Sequence, residues 1–245
     1  MPDPTSQVEI ALRIPGNWSG PQELLARFPN EYRLTPDALT LPDGTEIAFQ
    51  AVQADGQFPE IFRTSCRRPP TDDERRAVDA YTVNILLAGP GGSFDAARTM
   101  MLAAAAFLRA GAAGVFIDNC MVAHGAGHWL EMLDDGTPDA LSFAFVGILR
   151  GESDVHTLGM HALGLRDIRM KRDDIERHGF DIVEVIRYVA AGEKPIDDGH
   201  ILADQDGPRF QAHAQPAPRT YAGSPMYNPF GELKLVSLRD IAEAN

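Results

Sequence analysis

Apolar and polar positions partly alternate over residues 8–14 (VEIALRI), and the β-branched content predicts a strand. Ser19-Gly-Pro-Gln22 reads as a capping box with Pro21 in the first turn of a short helix over 20–28, ended by Pro29. Residues 38–41 and 45–52 flank Pro42-Asp43-Gly44, and the Asp-Gly pair supplies hairpin geometry. Arg67-Arg68-Pro69-Pro70 interrupts regular structure. Thr71-Asp-Asp-Glu74 then forms a second capping box, heading a helix that ends near Ala80. Residues 82–88 (TVNILLA) read as a buried strand. Ser93 caps the helix with the clearest period: Phe94, Ala97, Met101, Ala104 and Leu108 share one face, and Gly111 stops it. Residues 114–118 (GVFID) form the next strand, so 81–118 is a strand–helix–strand crossover.

Further along, 128–133 predicts a short helix ended by Asp134-Asp135-Gly136, and the apolar run 140–149 predicts a strand. Residues 155–160 and 165–170 flank Gly164 as a hairpin. Asp173 or Asp174 caps a following helix start. Ile182, Val185, Ile186 and Val189 form one stripe, closed by Gly192 and Pro195. From Lys194 on, Pro, Gly and Asp dominate, with one strand at 233–238. Interleaved strands and helices with hairpins and a crossover indicate an α+β fold, a mixed sheet with helices packed on it. No linker marks a boundary. The expectation is a single compact domain over 1–245, with two half-domains meeting near 135–150 as the alternative.

Composition narrows the function classes. Of 245 residues, 44% are hydrophobic, enough for a sizeable core. The formal charge of −13 argues against a nucleic-acid or anionic membrane surface, both of which need a positive footprint. The most apolar stretch, 100–117, is interrupted by Arg109, Gly111 and Gly114, so no membrane span is expected. The start has no basic region followed by an apolar one, and the expected setting is cytoplasmic. Cys66 and Cys120 are too few for a disulfide scaffold or a four-thiolate zinc site.

The richest chemistry lies in Asp118-Asn119-Cys120-Met-Val-Ala-His124-Gly-Ala-Gly-His128-Trp129-Leu-Glu131, a loop after a crossover strand. His124 and His128, four apart, could bind a divalent metal such as zinc, with Glu131 or Cys120 as a further ligand. Gly125 and Gly127 argue against one continuous helix through both histidines, and a structural loop is the competing account. No cofactor is otherwise expected. Cys120 and His124 could be a catalytic nucleophile and base; a buried structural cysteine competes with that reading. Asn119 and Trp129 are candidate ligand contacts. Gly91, Gly92 and Ser93 precede a helix N-terminus and could hold an anion, against the simpler reading of a tight turn with an N-cap. His156 and His161, five apart, point to opposite faces of an unbroken strand. His178, His200 and His213 read as solvated, and Asp197-Asp198-Gly199-His200 and Asp204-Gln-Asp206-Gly207 as turns lacking the EF-hand spacing.

Four stretches together resemble the bacterial family called domain of unknown function 4261: Leu87-Ala-Gly-Pro-Gly-Gly-Ser93 and its alanine-rich helix; Ala110-Gly-Ala-Ala-Gly-Val-Phe-Ile117 with Ala123-His124 and Trp129; His156-Thr-Leu-Gly-Met160 with Gly164-Leu-Arg-Asp167; and 180–191 followed by Asp197-Asp198-Gly199. The likeness covers about 81–238. It implies a compact α+β unit of bacterial cytoplasmic proteins and carries over no catalytic residue. The expectation is a soluble binding or protein-interaction module without catalysis, with a protein partner or a second copy as occupant. The alternative is a hydrolase, metal-dependent or not, around His124 and His128. The segment 216–229, with Tyr221, Met226 and Tyr227 followed by Phe230, is either an arm for another subunit or a wrap around its own domain.

Overall fold

The computed structural model describes residues 8–178, 181–192, 196–203 and 209–243. In chain order the first half contains β1 (Glu9–Gly16), α1 (Pro21–Arg27), β2 (Arg33–Leu34), β3 (Ala38–Thr40), β4 (Glu46–Gln53), α2 (Phe58–Ser65), α3 (Asp72–Asp79), β5 (Val83–Pro90), α4 (Phe94–Arg109), β6 (Gly114–Ile117) and β7 (Val122–Gly125). Then come α5 (Ala126–Asp135), α6 (Pro138–Phe145), β8 (Gly147–Arg150), β9 (Asp154–Leu158), β10 (Asp167–Lys171), α7 (Arg172–His178), α8 (Ile182–Ala191), β11 (Ile201–Ala203), β12 (Arg209–Gln215), β13 (Glu232–Ser237) and α9 (Leu238–Glu243).

The strands form two sheets, one ordered β2-β3-β4-β5-β1-β6-β7 and the other β11-β12-β13-β10-β9-β8. β1 runs antiparallel to both β5 and β6, so β5 and β6 are parallel to each other and α4 is the crossover between them. The second sheet is mixed: β10 pairs in parallel with β13 and antiparallel with β9. The α+β class with a mixed sheet is therefore observed.

α4 joins the layers. Ser93 accepts from the Ala96 amide at its start, and its small residues let it lie close on β1 and β5. Its other side is covered by α5, α6 and the 3-10 turn Met160–Leu163. One apolar cluster consequently contains Leu12 and Leu87 of the first sheet together with Ile168 and Leu235 of the second. Strand alternation divides the two faces of the first sheet: Val115 and Ile117 face this cluster, whereas Phe116 faces a smaller one with Phe58, Phe62 and Val78 beneath α2 and α3. Among the described residues no helix is long and apolar enough to cross a membrane.

Several expectations need correction. Residues 140–149 are the end of α6 followed by β8, because Thr137 caps at the Ala140 amide and Pro138 opens a helix. A run buried on every side carries no period with which to tell strand from helix. Ser19 is not the N-cap of α1: Gly20 is, and the Ser19 amide and hydroxyl instead donate to Glu23. Besides β13, the one strand expected after Lys194, β11 and β12 also form; β12 presents its apolar side through Phe210 and small alanines, a weak pattern. His156 and His161 do not share a strand, since β9 ends at Leu158 and His161 lies in the 3-10 turn. Pro195 and the Asp204–Gly207 turn lie outside the described residues.

Candidate functional site

The turn from β6 to β7 positions the loop singled out in the sequence. Met121 sits in it with φ of 58°, a left-handed conformation that is costly for a residue with a side chain, and 45% of its surface is exposed. The Met121 amide donates to the Ile117 carbonyl, closing the turn. Cys120 beside it is buried, and desolvation pushes its thiol up to about 12, so at neutral pH it is neither a thiolate nor an activated nucleophile.

His124 lies in β7 opposite Val115, and His128 lies in the first turn of α5, which starts after Gly125 and runs through Gly127, so no continuous helix carries both. Their rings are 5.3 Å apart, centroid to centroid. His124 Nε2 is 3.0 Å from the Ala144 carbonyl, while its buried Nδ1 has no hydrogen-bond partner among the described residues. Burial lowers its pKa to about 3, and burial followed by Arg68 lowers that of His128. No hydrogen bond joins Cys120 to His124. Glu131 is exposed and pairs at 3.9 Å with Arg68. Among the described residues no three His, Cys, Asp or Glu side chains form a group that could hold a metal ion.

The other sequence candidates have intramolecular partners. Asn119 Oδ1 accepts from the Ala11 amide, and its Nδ2 donates to the Glu9 and Pro225 carbonyls, so Asn119 staples β1 to the C-terminal loop. Trp129 is fully buried and donates to the Met101 carbonyl. The Gly91 and Gly92 amides donate to the Val8 and Ala162 carbonyls, and Ser93 caps α4. Segment 216–229 packs on its own chain: Pro225 accepts from Asn119, and Asn228 Nδ2 donates to Asp167 at 2.9 Å.

What this region does leave open is a cavity of about 510 Å³ between α6, α8, the end of α2 and the β6–β7 turn. Met121, Val122, Phe143, Val146 and Ile186 give it apolar walls, and Arg67 supplies a charge within them. Arg67 is held firmly. Its backbone follows the end of α2 along the edge of β7, where its amide donates to the Ala123 carbonyl at 3.2 Å. Its Nη1 donates to the Phe143 carbonyl at 2.9 Å, and its Nη2 donates to that of Val146. The guanidinium carbon lies 4.6 Å from the centre of the Phe143 ring, a cation–π contact. Arg67 thus caps the carbonyl end of α6, and burial lowers its pKa. On another wall, Arg187 is paired with Asp139 and Glu184. A second hollow of about 470 Å³, lined by Leu24, Leu34, Phe49, Val83 and Ile85 among others, contains no charged side chain.

The sequence singles out Cys120, which lies at this cavity, but does not show that Arg67, Phe143 and Ile186 join it there. The Arg-Arg-Pro-Pro run was the available signal, a pair of cations where the chain cannot continue a helix. No family model, no curated protein and no solved structure matches this chain.

Proposed function

We propose that the protein is a ligand-binding module whose site is the cavity beside Arg67. The observation that carries this reading is a hollow of about 510 Å³ with largely apolar walls and, at Arg67, a fixed guanidinium with no carboxylate partner among the described residues, the composition of a small-molecule site. The left-handed Met121 at its side supports it, because backbone strain concentrates where function requires it. The neutral Cys120 thiol, and a buried His124 that faces the Ala144 carbonyl rather than a nucleophile, favour binding over covalent catalysis at this place.

Ligand-observed NMR with a small-fragment panel tests the proposal. Ile186→Trp places a large side chain in the hollow. Fragments that bind the wild type should lose contact with this variant while its thermal unfolding remains cooperative. A panel without hits, or hits indifferent to the substitution, would overturn the reading.

A further inference from the structure

We propose that this cavity takes a small monocarboxylate, with its carboxylate on the Arg67 guanidinium and its apolar body against Met121, Val146 and Ile186. The inference rests on the cavity being the binding site. Among the described residues no carboxylate lies within ion-pair distance of Arg67, whereas Arg187, which also lines the cavity, has two. Among the described residues the guanidinium donates to two main-chain carbonyls and lies over an aromatic face. The titratable side chain nearest in influence is Cys120, whose thiol stays protonated.

The carbonyl end of α6 supplies only about half of a countercharge. Among the described residues Arg67 Nε–H has no hydrogen-bond partner, so this donor remains for an acceptor beside the two amino nitrogens that hold α6. A cation so placed in apolar surroundings favours an incoming anion, and a carboxylate matches the guanidinium fork in shape and charge. A polyanion fits poorly. It would meet one cation without an ion-pair partner, apolar walls and the Asp139 carboxylate.

The test uses three probes of one shape: 4-phenylbutanoate, 4-phenylbutanol and 4-phenylbutylamine, titrated calorimetrically into the full chain. The acid should bind about tenfold or more tightly than the alcohol, and the amine more weakly still. Arg67→Gln should bring acid and alcohol to parity. If capping α6 makes that variant unstable, the wild-type series and Ile186→Trp, which should abolish binding of the acid, decide alone. Equal binding of acid and alcohol overturns the carboxylate assignment while leaving the cavity a binding site. Absence of binding by all three, with fragment hits at the cavity retained, overturns it as well. Loss of the fragment hits themselves overturns the reading beneath it.

Discussion

His124 and His161 are buried beyond the reach of solvent, and neither Nδ1 has a hydrogen-bond partner among the described residues. Burial lowers their pKa values to about 3 and about 4, below the ordinary 6.5. Between those values the unfolded chain binds protons that the native chain does not, so stability rises with pH up to about 6.5 and is lost as pH falls below it. Asp167 acts in the opposite sense. Burial raises it to about 7 despite donors from Asn228, Thr157 and the Met160 amide, so its contribution is present below about pH 4 and declines as pH rises to 7. His124→Gln should therefore flatten the rise in unfolding free energy between about pH 4 and 6 by on the order of 1 kcal/mol per pH unit. Urea titrations at several pH values measure this, and an unchanged slope would contradict it. A glycine pair isolates a different effect. A Cβ at Gly164, with φ of 79°, would lie 2.4 Å from the Gly92 carbonyl oxygen, whereas one at Gly192, with φ of 68°, meets nothing within 4 Å among the described residues. Gly164→Ala should cost about 2–4 kcal/mol and Gly192→Ala about 1 kcal/mol in chemical denaturation. Equal costs would show that backbone conformation alone governs both positions.

At the scale of elements, α6 depends on its two ends. Thr137 accepts the Ala140 amide at the start, and Arg67 binds carbonyls at the finish. Thr137→Ala should lower stability by about 1 kcal/mol by the same denaturation measurement, and no change would mean that the cap is replaced by solvent. α6 is also where sequence reading failed. Helix α4 could be recognised from its period and its Ser93 cap, and α3 from Thr71 and Glu74, because their exposed faces keep polar residues in register. Residues 140–146 are apolar or small and mostly buried, so no polar face reveals the helical turn. β12 was missed for the reverse reason: its inward positions include alanines too small to announce a strand. The cavity shared this fate. Its loop residues were visible as a cluster, but Arg67 approaches from a segment far away in sequence, through a pairing with Ala123 that no local pattern encodes.

At the scale of the molecule, one apolar cluster joins the two sheets through α4, and the C-terminal loop is tied to β1 through Asn119. β13, near the end of the chain, lies between β10 and β12 and so completes the interior of the second sheet. Such a shared core should melt as a unit: differential scanning calorimetry should give one transition, and two separated transitions would show that the sheets are independent. The cavity beside Arg67 is the proposed binding site. Methyl-labelled NMR during titration with the fragment hits tests it most directly. Shifts should centre on the methyl groups of Met121, Val122, Val146, Ile148 and Ile186, with those of Leu24, Leu34, Val83 and Ile85 at the uncharged hollow left in place. Shifts confined to the second set, or none at either, would contradict the account.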